Sequence, residues 1–180
     1  MGKLFVISGS SGVGKGTVIK EFLKKHPEFK LSVSCTTRKP REGEVHGENY
    51  FFLSKEKFTA CVEKGEFLEW AEFSGNMYGT QRPYVDRKLA EGKNLILEID
   101  TQGALKVKKV MPEAKLIFIL PPSLKELEAR LRGRHTESEE AIQKRLGSIK
   151  MEMENAKNFD FQIVNDSIEN AVAELEKICC

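Results

Sequence analysis

The sequence predicts an α/β domain of three layers, in which helices pack on both faces of a mostly parallel central sheet. Two observations support this fold class. Short, continuous apolar runs recur along the 180 residues, and such runs are typical of strands buried on both faces. A segment with apolar residues at helical spacing follows each run, and strands that alternate with helices usually form a parallel sheet.

The first strand is predicted at residues 4–7, where an apolar run ends at Ser8 and Gly9. A helix is predicted at 15–25 because its apolar residues recur at helical spacing: Val18, Ile19, Phe22 and Leu23. Pro27 cannot continue a helix, so it marks the end. The same pattern predicts further strands at 95–99, 116–120 and 161–164 and further helices at 103–110, 123–131 and 167–178.

Residues 34–82 interrupt this alternation, since they are rich in glycine and proline turn signals. We interpret them as an inserted lobe on a small mixed sheet, with strands predicted at 50–53, 67–73 and 77–80 and a helix at 55–63. Residues 130–157 are predicted to form a helix, an arginine-rich turn at 133–136 and a second, long helix. The chain is thus predicted to be one domain, with its core at 1–33, 83–129 and 158–180.

Composition excludes several functional classes. The net charge of +2 is too small to indicate bulk attraction to nucleic acid or to a membrane surface. The four cysteines show no C-x-x-C spacing, so neither a disulfide framework nor a zinc site is predicted. No apolar run approaches the length of a membrane span, and the short apolar start is unlike a signal peptide. We therefore expect a cytoplasmic location, and the sequence leaves the oligomeric state open.

A glycine-rich phosphate loop, Gly9-Ser-Ser-Gly-Val-Gly-Lys-Gly-Thr17, lies directly after the first predicted strand and opens the first helix. Its backbone N–H groups and the helix N-terminus favour a phosphate chain, and Lys15 can reach the β- and γ-phosphates of ATP. The ATP-binding residues predicted here are Gly9, Ser11, Gly12, Val13, Gly14, Lys15, Gly16 and Thr17.

The loop departs from the general form G-x-x-x-x-G-K-[ST] at Gly16, where a hydroxyl normally binds Mg²⁺. We therefore predict that Mg²⁺ is held mainly through ATP oxygens and water, with no direct protein ligand assigned. Glu98, in an apolar strand two residues before Asp100, has two open interpretations. It either assists Mg²⁺ through water or is a hydrogen-bonded structural acid.

The segment from Ser34 to Tyr50 resembles the signature of guanylate kinases, S-x-T-T-R-x-P-R-x-G-E-x-x-G-x-x-Y. The Gly-Lys-Gly-Thr sequence is similar to that of nucleoside monophosphate kinases in general. Further blocks match in family order over nearly the whole chain, at residues 66–73, 76–80, 100–103, 121–123, 130–134 and 164–166, together with Arg145. This resemblance implies a P-loop fold with an inserted GMP-binding lobe at 34–82 and a helical lid within 130–157.

The resemblance also implies an activity: transfer of the γ-phosphoryl group of ATP to GMP, with Mg²⁺ and without a general base. It places the GMP phosphate at Arg38, Arg41, Tyr50 and Tyr78, whose guanidinium and hydroxyl groups suit a phosphate dianion. It assigns the donor edge of guanine to Glu69 and Asp100, and the acceptor side to Ser34 and Thr80. It implies catalytic roles for Lys15, Arg130, Arg134 and Arg145, with Arg134 and Asn165 also near the adenine of ATP.

Several alternatives remain open from sequence. Tyr50 could belong to the core, Thr80 could be an ordinary strand residue, and Glu69 could face solvent. The chain could also be a guanylate-kinase-like peptide-binding module without activity, or a kinase for another monophosphate such as AMP or dTMP. Such modules typically have damaged phosphate loops or lack acceptor-site residues, whereas this chain keeps both sets.

Overall fold

The computed structural model describes residues 1–10, 12–73, 75–123, 125, 128–129, 132–133 and 139–180. At positions 73, 141, 144, 145, 148 and 150 the description covers the backbone alone. The predicted helix at 123–131 and turn at 133–136 therefore lie partly outside the described residues.

Nine strands are described: β1 (Leu4–Gly9), β2 (Phe29–Leu31), β3 (Cys35–Thr36), β4 (Phe51–Phe52), β5 (Phe67–Phe73), β6 (Asn76–Gln81), β7 (Asn94–Glu98), β8 (Lys115–Leu120) and β9 (Phe161–Val164). The α-helices described are α1 (Lys15–Lys25), α2 (Lys55–Glu63), α3 (Arg82–Ala90), α4 (Thr101–Val110), α5 (Glu139–Asn155) and α6 (Ile168–Cys179). A 3-10 helix, Ala156–Asn158, follows α5. One sheet has the strand order β2-β7-β1-β8-β9 and the other the order β4-β3-β6-β5.

The predicted fold class, an α/β domain with a mostly parallel central sheet, is confirmed. In the five-stranded sheet, β2 pairs with β7, β1 with β8, and β8 with β9, all in parallel. The side chains of Val6, Leu116 and Ile119 are fully buried, as continuous apolar runs predict for strands covered on both faces.

Contacts within the chain define two compact units, and each is described by itself. The first comprises Met1–Leu4, Glu28–Leu97 and Gln102–Ala114, and the second comprises Phe5–Pro27, Glu98–Thr101 and Lys115–Cys180. The predicted lobe at 34–82 falls entirely within the first unit. The division of the chain into a core, a lobe and a lid stays a prediction.

In the second unit, helix α1 spans the predicted residues and buries Val18, Ile19 and Phe22, the face that its spacing predicted. It packs against α6, which begins after Ser167. The Ser167 hydroxyl caps that helix by accepting a hydrogen bond from the backbone N–H of Asn170.

In the first unit, the four-stranded sheet is mixed, as predicted: β3 and β4 are parallel, whereas β6 runs antiparallel to both β3 and β5. Helix α2 has the predicted bounds and is capped by the Ser54 hydroxyl. Helix α3 was not predicted, although Pro83 lies in its first turn, where proline is favoured. Among the described residues, no helix is long and apolar enough to span a membrane.

Candidate functional site

The phosphate loop connects the end of β1 at Gly9 to the start of α1 at Lys15. Gly14 is the residue before the helix, and no side chain caps the helix there. The first turn of α1 also holds no acidic residue. Neither the cap residue nor the first turn of this helix therefore supplies a side chain that neutralises its positive end, which favours binding of an anion.

Two glycines of the loop lie so close to neighbouring atoms that a side chain at either position would clash. A Cβ atom at Gly14 would lie 2.8 Å from Nδ2 of Asn165, and the φ angle of +89° is itself unfavourable for other residues. A Cβ atom at Gly9 would lie 2.7 Å from the carbonyl oxygen of Ile119. The loop thus depends on glycine for close approach as well as for conformation.

Asn165 lies directly after β9, and its side chain forms a hydrogen bond with the backbone of the phosphate loop. Its backbone N–H donates to the carbonyl of Leu120 at 2.8 Å, which extends the pairing of β8 and β9. Its side-chain Nδ2 donates to the carbonyl of Val13 at 2.7 Å, and the residue is only 3% exposed. The Asn165 carboxamide therefore fixes the loop backbone.

Glu152, on α5, is a further acidic residue of this unit that the sequence did not single out. Burial raises the pKa of its carboxyl, while the Ser10 hydroxyl and the charge of Lys15 lower it and the charge of Asp100 raises it. Oε2 of Glu152 and Oγ of Ser10 are both buried without a hydrogen bond of normal geometry to any described residue. Nothing in the sequence around Glu152 distinguishes it from the surface glutamates of α5.

Two carboxylates, Glu98 and Asp100, follow the apolar stretch of β7. Both are exposed, and Oε1 of Glu98 lies 3.7 Å from the position a Cβ atom would take at Gly16. Gly16 is the position at which phosphate loops usually carry a hydroxyl, and Thr17 beside it is exposed. A carboxylate oxygen of Glu98 thus lies beside the loop position that lacks its own hydroxyl.

A buried acid lies in the small sheet of the first unit. Glu69 on β5 is 6% exposed and pairs in register with Thr80 on β6. The Thr80 hydroxyl donates to Oε1 of Glu69 at 2.7 Å. A register shift between Phe67 and Glu69 interrupts regular pairing, and such irregularities can redirect a side chain.

The predicted phosphate-binding residues Arg38, Tyr50 and Tyr78 come together in the same unit. The centre of the Arg38 guanidinium lies 5.5 Å from the Tyr50 ring centroid, and the two tyrosine rings are 6.2 Å apart. Tyr78 pairs with Thr36 across β3 and β6, and the Thr36 hydroxyl accepts a hydrogen bond from the backbone N–H of Arg38 at 3.1 Å. The fold therefore assembles a cationic and aromatic cluster.

Glu44 joins this cluster through a two-point ion pair. Nη1 and Nη2 of Arg38 donate to its two carboxylate oxygens at 3.0 and 2.8 Å, and the backbone N–H of Arg41 donates to Oε2 at 2.7 Å. These donors lower the pKa of Glu44 to about 2, the Arg38 guanidinium having the largest effect. The sequence motif contains Glu44, but the residue chemistry gave no reason to assign it a role.

The remaining predicted site residues differ in what is described of them. Arg41 is exposed, and Ser34 is half-buried, with its carbonyl accepting the N–H of Phe51 at 2.8 Å. The Arg145 backbone lies in α5, but its side chain is outside the description. Three other predicted positions lie outside the described residues altogether: Ser11, Arg130 and Arg134.

Comparisons with known proteins agree with these observations. The family model described as guanylate kinase matches residues 1–179. The chain is 55% identical to guanylate kinase of Synechococcus sp. (strain CC9311), over 96% of this chain and 90% of that protein. It is 52% identical to guanylate kinase of Trichodesmium erythraeum, over 98% of this chain and 95% of that protein. The crystal structure of guanylate kinase from Anaplasma phagocytophilum is similar, with a TM-score of 0.76, 32% identity and coverage of 98% of this chain and 84% of that one.

Proposed function

The chain belongs to the guanylate kinase family and is an ATP:GMP phosphotransferase, and from that premise we propose which residues bind each nucleotide. The observation that carries the assignment is the small sheet of the first unit. It combines a buried carboxylate, Glu69, with a cluster of arginine and tyrosine side chains. A nucleoside monophosphate has a base to be recognised and a phosphate to be bound, and this combination of groups suits both.

Glu69 is proposed to recognise guanine. Guanine presents N–H donors at N1 and at its exocyclic amine, and a carboxylate accepts both. The Thr80 hydroxyl, which donates to Oε1 of Glu69, holds that carboxylate in one orientation. Adenine offers a bare N1 lone pair at the same edge, so with AMP the carboxylate would receive no hydrogen bond from the base at that position. Ser34 and Asp100 are proposed as further contacts to the base.

Arg38, Arg41, Tyr50 and Tyr78 are proposed to bind the phosphate of GMP. Guanidinium groups form two-point hydrogen bonds with phosphate, and tyrosine hydroxyls add single donors. Arg38 is held beside the Tyr50 ring and partly shielded from water, with a side chain 15% exposed. A charged donor in such a place interacts more strongly with an anion than one in bulk water does.

The phosphate loop is proposed to bind ATP, with its N–H groups around the phosphates and Lys15 at the β- and γ-phosphates. The uncapped start of α1 supports this placement, because an incoming phosphate would supply the missing negative charge. Asn165 is proposed to act by fixing the loop through Val13, as its buried hydrogen bond supports. Its contact with adenine stays a prediction from the resemblance.

Mg²⁺ is the metal that the family implies, and the carboxylate of Glu98 beside the loop fits it. Glu98 would hold it through water, and its exposed position next to Gly16 favours this role over that of a hydrogen-bonded structural acid. When bound, the ion neutralises charge on the phosphate oxygens of ATP.

No general base is needed for the proposed reaction, because the attacking phosphate oxygen of GMP is already an anion. Arg38 and Arg41 would orient that phosphate, while Lys15 would stabilise charge on the migrating phosphoryl group. Arg130, Arg134 and Arg145 are proposed to share this second task within a lid formed by residues 130–157. Exclusion of water by closure of the 34–82 lobe and the lid would favour transfer to GMP over hydrolysis.

A coupled assay of ADP formation with GMP, dGMP, AMP, CMP and dTMP as acceptors tests this assignment. We expect GMP to exceed AMP in kcat/KM by roughly 10⁴-fold, because a buried polar site rejects a base that leaves it unpaired. Comparable rates with AMP or dTMP would overturn the base-recognition role of Glu69. No observation favours a peptide-binding module, and the substrates are consistent with a cytoplasmic enzyme.

A further inference from the structure

We propose that Glu44 is a positioning residue for the acceptor phosphate: it holds Arg38 so that one edge of the guanidinium faces the phosphate of GMP. This inference rests on the proposed function, in which Arg38 binds that phosphate. It adds a residue to the site that acts through Arg38 and does not itself touch the substrate.

The hydrogen-bond inventory of Arg38 supports this role. An arginine has five N–H donors, two on each terminal nitrogen and one on Nε. Nη1 uses both of its donors, one to the Lys39 carbonyl at 2.8 Å and one to Oε2 of Glu44. Nη2 uses one of its donors, to Oε1 of Glu44 at 2.8 Å.

The two donors that remain are Nε–H and the second Nη2–H, which lie side by side on one edge of the guanidinium plane. In the part of the chain that the structure describes, neither donor makes a hydrogen bond of normal geometry, although the Tyr78 side chain is near enough to the guanidinium to raise the pKa of Arg38. Two parallel donors on one edge match two oxygens of a phosphate. Glu44 occupies the end of the guanidinium and leaves this edge for a second anion.

Glu44 also forms two hydrogen bonds with the backbone of Arg41, the second arginine of the predicted phosphate site. Its Oε2 accepts the N–H of Arg41, and its own N–H donates to the Arg41 carbonyl at 3.1 Å. On the other side of Arg38, the Thr36 hydroxyl fixes the backbone N–H. Both the end of the Arg38 guanidinium and the Arg38 backbone are thus constrained in the free protein. This constraint reduces the entropy that is lost when GMP binds.

Glu44 could in principle have the opposite effect, because it is an anion close to a site for another anion. If it competed with the phosphate for Arg38, its removal would strengthen GMP binding. If it served only the turn at Arg41, its removal would weaken binding regardless of Arg38. The sign of the effect and its dependence on Arg38 therefore distinguish positioning from both alternatives.

The test is a double-mutant cycle on GMP affinity, measured by calorimetry with Glu44→Gln, Arg38→Ala and the double variant. Glutamine keeps the shape of the side chain and removes its charge, and Glu42→Gln is the matched control because Glu42 is exposed two residues away. We expect Glu44→Gln to weaken GMP binding about tenfold, since charged hydrogen bonds have effects of this order. KM for ATP in Glu44→Gln and GMP affinity in Glu42→Gln should change less than about twofold. In the Arg38→Ala background the Glu44 substitution should have a much smaller effect, with only its contact to the Arg41 backbone remaining.

Unchanged or tighter GMP binding by Glu44→Gln would overturn the inference, as would an equal loss with and without Arg38. If Arg38→Ala itself leaves GMP affinity intact, the proposed phosphate site is wrong and the inference falls with it. Failure of the Glu44 inference and failure of the proposed phosphate site can be distinguished, because the Arg38→Ala single variant tests the phosphate site without any change at Glu44. Thermal unfolding of each variant at pH 7 shows whether the affinities refer to folded protein.

Discussion

The small mixed sheet and the phosphate loop differ in how their acidic side chains are satisfied. In the sheet region, Glu69 accepts the Thr80 hydroxyl and Glu44 accepts three N–H groups. In the loop region, Oγ of Ser10 and Oε2 of Glu152 are buried without a hydrogen bond of normal geometry to described residues. The pKa values follow this difference, since partners lower that of Glu44 and burial raises that of Glu152.

This difference indicates two ways of preparing a site for a charged ligand. Under the proposed function, the sheet region recognises the base, and its acceptors are fixed in advance by the chain itself. The loop region, proposed to bind the phosphates of ATP, instead keeps buried polar groups unpaired in the free protein, which costs stability. This contrast applies to the small-sheet region and the phosphate-loop region only. A further buried hydroxyl without a partner, Ser32 Oγ, belongs to the first unit but lies outside its small sheet.

The largest expected effect is at Lys15. Lys15→Ala should lower kcat by about 10² to 10³, because one preorganised charged donor has effects of this order in the transition state. Its stability should change by no more than about 0.5 kcal/mol, since the phosphate it serves is not part of the folded chain. Lys20→Ala is the control, because Lys20 is exposed on the same helix. Near-normal turnover in folded Lys15→Ala protein would remove Lys15 from the catalytic machinery.

Glu69→Ala should combine loss of function with loss of stability, unlike Lys15→Ala. Its kcat/KM for GMP should fall by roughly 10- to 100-fold, the effect of charged hydrogen bonds, while KM for ATP stays nearly constant. The free energy of unfolding should fall by about 1–3 kcal/mol, because the buried Thr80 hydroxyl loses its acceptor. Steady-state kinetics and urea unfolding measure the two effects.

The GMP-to-IMP ratio sharpens the Glu69 assignment, because IMP lacks the exocyclic amine. That ratio in kcat/KM should shrink in Glu69→Ala and less so in Glu69→Gln, which keeps one acceptor. Glu72→Ala, at an exposed position of the same strand, should leave the ratio unchanged. If the ratio in Glu69→Ala equals that of the wild type, another group recognises the amine.

The sequence predicted the loop and the buried strands well because their signals are local. Residues 15–25 carry helical spacing in full, and the strand at 161–164 has the predicted bounds. The two-residue strands β3 and β4 are too short for periodicity to determine, since pairing with β6 and with each other defines them. Helix α3 was missed because its weakly amphipathic sequence follows directly on β6.

The candidate site shows the same division between local and tertiary signals. Glu69 was left open between solvent and site from sequence, and only its pairing with Thr80 makes it a buried, hydrogen-bonded acid. Glu152 has no local signal at all. Its distinguishing features are burial and the neighbouring Ser10 and Lys15, which lie more than a hundred residues away in the chain.

A smaller effect is expected from Glu152→Gln, and it depends on pH. Burial raises the folded-state pKa of Glu152, so ionisation of the carboxyl weakens folding as pH rises from about 4.5 through the raised value. Glutamine removes this cost. The variant should therefore match the wild type near pH 4 and be at least as stable at pH 8, as thermal unfolding at both pH values would measure.

Glu154→Gln is the control for Glu152, since it lies two residues further on the same helix and is exposed. Its difference from the wild type should not vary with pH in this way. A Glu152→Gln protein that is clearly less stable than the wild type at pH 8 would contradict the expectation. It would mean that attraction to Lys15 outweighs the cost of burial.

The smallest expected effect is the pH dependence of the stability difference between the wild type and Glu44→Gln. This effect compares the two regions directly. Arg38 and the Arg41 N–H lower the folded-state pKa of Glu44 to about 2, from an ordinary value of 4.5. The stability that ionised Glu44 contributes is therefore fully present above about pH 4.5 and is lost as pH falls towards 2. Wild-type protein should exceed Glu44→Gln in stability at pH 7, and the gap should narrow between pH 4.5 and pH 3 in urea unfolding.

The wild-type advantage thus rises with pH for Glu44 and falls with pH for Glu152, so the two difference curves should have opposite slopes. A gap that stays constant down to pH 3 would show that the charge of Glu44 contributes nothing to its pairing with Arg38.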